Sequence, residues 1–271
     1  MTLIELKSVS GSLGAGRVTD VSFRLPNGKT YGVFSSRYED AVCLLALMSG
    51  ARTPTNGSVL AGGFNLHREA KQVRRSVAYL SPDLLPDDEL TPIEYLMTVA
   101  DILELPYDKT VRRAHELLEL ADLSPKKDRL IANLSHGEKR ILCLLQLLLG
   151  KPEFLMLSSP LSGLMAKDAQ KMRELIAFLS DTHTIFLCTS SKNDLLEMCD
   201  EILVLQDGTL KMTASANDED LAAEFSAPPT EDIQESKNAP KTNREKALWK
   251  LLTQTSNDYE VLDDEDKEDK N

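Results

Sequence analysis

Leu134-Ser135-His136-Gly137-Glu138-Lys139-Arg140, with Phe154-Leu155-Met156-Leu157-Ser158-Ser159-Pro160-Leu161-Ser162-Gly163-Leu164 after it, is the stretch on which the fold turns. Ser135 with Glu138 three residues later is a capping-box pattern, so a helix starts there and runs, rich in leucine, to Leu149. A helix start concentrates unpaired N–H groups and favours anions. Ser135 can offer such an anion a hydroxyl, and Gly137 a close backbone N–H. Phe154 to Leu157 then reads as a short strand buried on both faces.

Working outward, Ala166 to Leu179 reads as a helix, Thr184 to Leu187 as a strand, Asp194 to Met198 as a short helix, and Ile202 to Leu205 as a strand ended by Asp207-Gly208. Upstream, Lys109 to Ala121 carries a one-sided apolar face, and Thr91-Pro92-Ile93-Glu94 opens a helix to about Leu103. Val77 to Leu80 is a strand and Asn56 to Gly63 a hairpin-like piece. Residues 2 to 34 read as short strands with a turn at Pro26-Asn27-Gly28, the last being Lys29 to Phe34. A polar loop, Ser35 to Asp40, leads into the apolar helix Ala41 to Met48. Strand, loop and buried helix open a nucleotide-binding α/β unit, and the alternation beyond it predicts a largely parallel sheet with helical cover.

The 271 residues fit one sizeable domain plus an appendage, or two small domains. The net charge of -12 repels a phosphate backbone and argues against a general nucleic-acid binder, although Lys71, Arg74 and Arg75 form a small basic patch. Cys43, Cys143, Cys188 and Cys199 form no CxxC, read as buried free thiols, and with four scattered histidines give no metal signature. No signal-peptide pattern and no membrane-length apolar run is legible, so the sequence predicts a cytoplasmic chain without direct membrane insertion. The expected boundaries are a domain over 1–218, a polar linker over 219–242, and a tail over 243–271. That tail combines one short amphipathic helix, Asn243 to Leu252, with an acidic disordered end.

The ordered set of motifs resembles the nucleotide-binding subunits of ABC transporters. Leu134 to Glu138 is similar to their signature loop, and Phe154 to Ser159 to their Walker B strand. Thr184 to Ser190 is similar to the switch strand, and Tyr31-Gly32-Val33-Phe34 to the strand before Walker A. The resemblance implies an α/β, P-loop NTPase-like ABC ATPase fold with an antiparallel β subdomain and a helical subdomain over about 84–149. Leu90 to Leu96 looks most like bacterial drug- or peptide-export subunits. Residues 82 to 122 would carry the contact with a membrane subunit, with Leu84, Leu85, Leu90 and Tyr95 either as its anchors or as packing of the helical subdomain.

The same comparison implies a dismantled ATP site. In register with the Walker A loop stand Ser35, Tyr38, Asp40, Ala41 and Val42. Tyr38 and Asp40 replace glycines, Ala41 the phosphate-binding lysine, and Val42 the magnesium-binding hydroxyl. Glu39 and Asp40 are expected to place negative charge where phosphates belong. Ser158 and Ser159 stand for the Walker B aspartate and the neighbouring glutamate. Pro82 stands for the Q-loop glutamine, Ser190 for the switch histidine and Met165 for the D-loop aspartate. No aromatic lies near Leu13 to stack on adenine. A serine of ordinary pKa cannot take a proton from water near neutral pH. Tyr38 is expected to plug the emptied loop, and Met156 and Met165 to be packing residues.

These subunits work as head-to-tail pairs, each ATP lying between one Walker site and the other subunit's signature loop. The resemblance therefore implies a non-catalytic subunit with no nucleotide of its own and ATP shared at a partner's site. Its partners would be an active ABC ATPase subunit and a multi-span permease, which would hold it at the inner face of the cell membrane. Two readings stay open beside it. One is a regulatory or interaction module on a retired fold, in which Ser135 and Glu138 merely cap a helix. The other is a ligand-binding protein or enzyme with a repurposed loop, although no nucleophile–base–orienter cluster is legible.

Overall fold

The computed structural model describes residues 3–66, 68–69, 76–216 and Phe225. All of them belong to one compact unit, Met1–Ala227. The basic patch at Lys71, Arg74 and Arg75 and the helix expected over Asn243 to Leu252 lie outside the described residues, as do the linker, apart from Phe225, and the acidic tail.

Two sheets organise the chain. The first is antiparallel, in the order β2 (Gly16–Pro26), β1 (Leu3–Leu13), β4 (Asn56–Ala61), β5 (Phe64–Asn65). The expectation of short strands here is corrected: β1 and β2 are 11 residues each. β1 is a central strand paired on both sides. Bulges absorb its irregularity, Ser8 taking a φ of 48°.

The second sheet has the order β10 (Thr209–Ser215), β9 (Glu201–Gln206), β3 (Thr30–Ser35), β8 (Thr184–Cys188), β7 (Phe154–Ser158), β6 (Val77–Leu80). Strands β9, β3, β8, β7 and β6 run parallel, and β10 returns as an antiparallel hairpin. Every residue of β7 and β8 is buried, which is why both read as continuous apolar runs.

Helix α1 (Tyr38–Met48) packs between the sheets, where Leu44, Leu45 and Leu47 meet Val9, Val33 and Phe186 in one apolar core. A second core lies under α2 (Pro92–Ile102), α3 (Tyr107–Leu120), α4 (His136–Leu147) and α5 (Ala166–Ser180). Short 3-10 turns at Ser124–Lys126 and Ile131–Asn133, not foreseen from the sequence, bring the chain to α4. Helix α6 (Lys192–Met198) precedes β9. Thr91 and Glu94 form the expected capping box on α2. The architecture is the α/β fold with antiparallel β and helical subdomains. Among the described residues, no helix is long and apolar enough to cross a membrane.

Candidate functional site

The parallel strands place their C-terminal ends together, and the motif residues sit there. Strand β3 ends at Ser35, β7 at Ser158, and β8 at Cys188 followed by Thr189 and Ser190. Only Ser36 and Arg37 separate β3 from α1, so the polar loop is shorter than expected, and Tyr38, Glu39 and Asp40 form the first helical turn.

Asp40 corrects one expectation. Its carboxylate does not face the loop. It is 1% exposed and accepts the Arg17 backbone N–H on Oδ1 at 2.7 Å. Arg37 donates to the carbonyl of Ala15 at 2.7 Å. Gly16 lies so close to α1 that a Cβ there would fall 2.0 Å from the Glu39 carbonyl oxygen. Three contacts thus clamp the tip of the β1–β2 hairpin onto the start of α1. Glu39 is exposed. Ala41 is buried apolar packing, and Val42 is half-buried against the same core.

Tyr38 reaches across the strand ends. Its hydroxyl shares a hydrogen bond with Ser159 and lies 3.8 Å from the Cys188 thiol. Burial, then the neighbouring Cys188, push the phenol well above its ordinary pKa, so it stays neutral. Ser158 is fully buried and donates to the Tyr79 hydroxyl at 3.4 Å, while the Cys188 thiol donates to Ser158 at 3.5 Å. Ser159 takes a φ of 47°, and its N–H donates to the Cys188 carbonyl at 2.9 Å. Tyr38, Ser158, Ser159, Tyr79 and Cys188 therefore form one neutral hydrogen-bonded cluster where three strands end. Pro82 and Ser190 are exposed beside it.

Arg140 was not singled out from the sequence. It is 3% exposed, and its guanidinium donates to the carbonyls of Ser81 at 2.8 Å, Ser158 at 2.9 Å, Ser159 at 3.3 Å, and Pro82 and Leu84 at 3.4 Å. Burial lowers its pKa from the usual value. One signal was available: Gly137, Arg140, Ile141 and Leu144 share the buried stripe of α4 at helical spacing.

The signature-like segment is well built. Ser135 is the N-cap of α4; its hydroxyl accepts the Glu138 N–H at 3.1 Å, and the Ser135 N–H donates to Glu138 at 3.0 Å. Burial alone would raise the Glu138 carboxyl. The Lys126 ammonium and the Ser135 N–H outweigh it and hold the group below the usual carboxylate value. Gly137 is buried against α5, and a Cβ on it would fall 2.1 Å from Asp168 Oδ2. Leu134 is buried, whereas Ser135 and His136 are exposed; His136 lies beside Gly163. The Ser135 hydroxyl spends only an acceptor lone pair on the cap, so its own proton is available to another group.

The remaining expectations divide. All four cysteines are free and buried. Met156 is packed in the core, but Met165 is 80% exposed because it sits on a loop as the N-cap of α5. Leu13 packs partly against the core. Of the expected membrane-subunit anchors, Leu85 is 63% exposed and Leu84 and Leu90 are half-buried. For Tyr95 the packing alternative holds: it is a core residue, its hydroxyl donating to Gln146 at 2.6 Å. Ile102 and Tyr107, at the α2–α3 turn, are the more exposed apolar residues of that region. Among the described residues, no group of three or more metal-ligating side chains occurs.

Comparison with known proteins agrees with this architecture. A nucleotide-free ATP-binding cassette from an ABC transporter superposes with a TM-score of 0.70 at 18% identity, over 84% of this chain and 96% of that one. The methionine import ATP-binding protein MetN of Photorhabdus laumondii is 26% identical over 209 residues, 74% of this chain and 60% of that protein. The Nod factor export ATP-binding protein I of Neorhizobium galegae is 27% identical over 194 residues, 71% of this chain and 56% of that protein. The chain spans about three-fifths of the length of such relatives, and one named for import and one named for export match it equally well. The family model for ABC transporters matches residues 18–162, more than half of the sequence, and the chain belongs to the ABC transporter ATP-binding family.

Proposed function

We propose that this chain is a non-catalytic subunit of a heteromeric ABC transporter. It binds no nucleotide in its own Walker site, lends the loop Leu134 to Glu138 to an active ATPase partner, and couples to a membrane permease. The observation that carries the reading is the hydrogen bond between Tyr38 and Ser159, which fills the space between α1 and the end of β7 with a neutral phenol.

Mg-ATP does not fit the residues present. Ala41 supplies no cation and Val42 no hydroxyl for a metal. Ser158 and Ser159 bring no carboxylate, and their hydroxyls already bond to Tyr79 and Tyr38. The hairpin clamp at Asp40 holds the loop against β1–β2. Loss of one well-placed transition-state donor typically costs about 3–4 kcal/mol. Here the lysine, both carboxylates and the switch histidine are replaced together.

The signature-like loop supports the partner role because it keeps what the Walker loop lacks: an exposed hydroxyl with a free proton at a helix start, although Gly137 is taken up by packing on Asp168. The exposed Leu85, Ile102 and Tyr107 support contact with a permease, which would hold the chain at the cytoplasmic side of a membrane. A second reading is favoured by the complete Ser135–Glu138 capping box, which gives that loop a purely structural reason to exist. On that reading the chain is a regulatory module.

A gentle-detergent pull-down from the native cell, quantified by mass spectrometry, separates the two. The transporter reading expects a near-stoichiometric ABC subunit with an intact lysine loop, together with a multi-span protein. Recovery of this chain alone, or with soluble proteins only, contradicts it.

A further inference from the structure

We propose that Arg140 is a positioning residue that ties the loop after β6 to the loop after β7, and that the tie holds with or without Mg-ATP. The tie itself is read from the chain alone; its indifference to Mg-ATP rests on the proposed reading that the chain's own Walker site binds no nucleotide.

The guanidinium reaches two groups of carbonyls that belong to different segments. Ser81, Pro82 and Leu84 follow β6, whereas Ser158 and Ser159 end β7 and open the loop to α5. The Cys143 thiol, one turn further along α4, adds a bond to the Leu84 carbonyl at 3.5 Å. None of the described ion pairs includes Arg140, so its charge is met by carbonyl dipoles instead of a carboxylate. A cation buried to this degree persists only when its donors are satisfied, and displacing either loop strands donors at the guanidinium. The planar fork spans both loops at once; a lysine ammonium, with three donors at one point, cannot.

The tie connects two exposed tips. The first loop carries Leu85, 63% exposed, and the second carries Met165, 80% exposed. Tyr38 and Tyr79 occupy the hydroxyls of Ser159 and Ser158 on the other side of the strand ends. Both loops are thereby fixed by groups of the chain itself. On this proposal, movement at one tip is passed to the other through Arg140.

The test places spin labels on the full chain through Leu85→Cys and Met165→Cys, the four native cysteines being buried. Distance distributions are recorded with and without millimolar Mg-ATP, for Arg140 and for R140K, with R140Q as the second variant should R140K fail to fold. The expected result is one narrow distribution with Arg140, unchanged by Mg-ATP, that broadens in the variant. Amide exchange should rise roughly tenfold in both loops together, while β3 and β8 keep their protection. A distribution that stays narrow without Arg140, that shifts with Mg-ATP, or exchange that rises in one loop only, would overturn the proposal.

Discussion

Two helices of this chain begin at positions where a phosphate could be held, and they are built in opposite ways. Helix α1 begins at Tyr38 with Arg37 as N-cap and no side-chain cap, and its own Glu39 and Asp40 lie in the first turn. Helix α4 begins at Ser135 with both bonds of a capping box in place. The favourable field at the start of α1 is answered from within, by the buried Asp40 carboxylate, and the space before it is taken by a phenol. At α4 the first-turn acid, Glu138, is folded back onto Ser135 N–H and Lys126; the exposed tip carries the uncharged Ser135 hydroxyl, with the Asp168 carboxylate of α5 packed at Gly137. The two starts thus differ in where a first-turn carboxylate points: inward to the Arg17 N–H at α1, and back onto the cap at α4.

The contrast can be broken experimentally, beginning with the largest effect. Arg140→Met should destabilise the chain by about 3 kcal/mol in urea melts, because five carbonyls lose their donor inside the fold. A cost near zero would mean that the guanidinium is dispensable to the closed side of the molecule. Gly137→Ala should cost about 2 kcal/mol, since its methyl group meets Asp168 on a packed helix; Gly150→Ala, with open space around it and no positive φ, should cost far less. Equal costs would show that α4 and α5 do not hold the open side as tightly as described.

Tyr38→Phe removes one hydrogen bond and keeps the ring, so a loss of about 1 kcal/mol is expected, with no Mg-ATP binding gained in calorimetric titration. Nucleotide binding by that variant would show that the phenol hydroxyl alone closes the site. The smallest effect is pH-dependent. Glu138 has a lowered folded pKa, so its contribution is complete above the unfolded carboxylate value near 4.5 and is lost as the pH falls through the lower folded value. Glu138→Gln should remove this acid-side slope, amounting to a few tenths of a kcal/mol at a partly exposed site. An unchanged slope would place the acid sensitivity elsewhere.

Much of the fold was legible because apolar runs and caps are local. Val77 to Leu80 was placed residue for residue, and Phe154 to Leu157 and Thr184 to Leu187 fell one residue short of β7 and β8. The Thr91 and Ser135 starts followed from side chains three residues apart. What escaped depends on distant partners. Asp40 turned out to serve the hairpin through Arg17, and Tyr38 meets a serine 121 positions away. Arg140 resembled an ordinary charge after a motif, and only its place in the buried stripe of α4 pointed inward. Tyr95 stayed open because an aromatic near a helix start looks the same whether its hydroxyl meets Gln146 or solvent.

The partner role of the open helix start is tested most directly by Ser135→Asp in the assembled complex. Aspartate caps a helix as well as serine does, so the α4 start should hold within about 0.5 kcal/mol. It also sets a negative charge where the partner's phosphate would lie. The account predicts unchanged assembly and a roughly 100-fold loss of ATP turnover by the complex. Turnover at the wild-type level would contradict it and leave Ser135 as a helix cap alone.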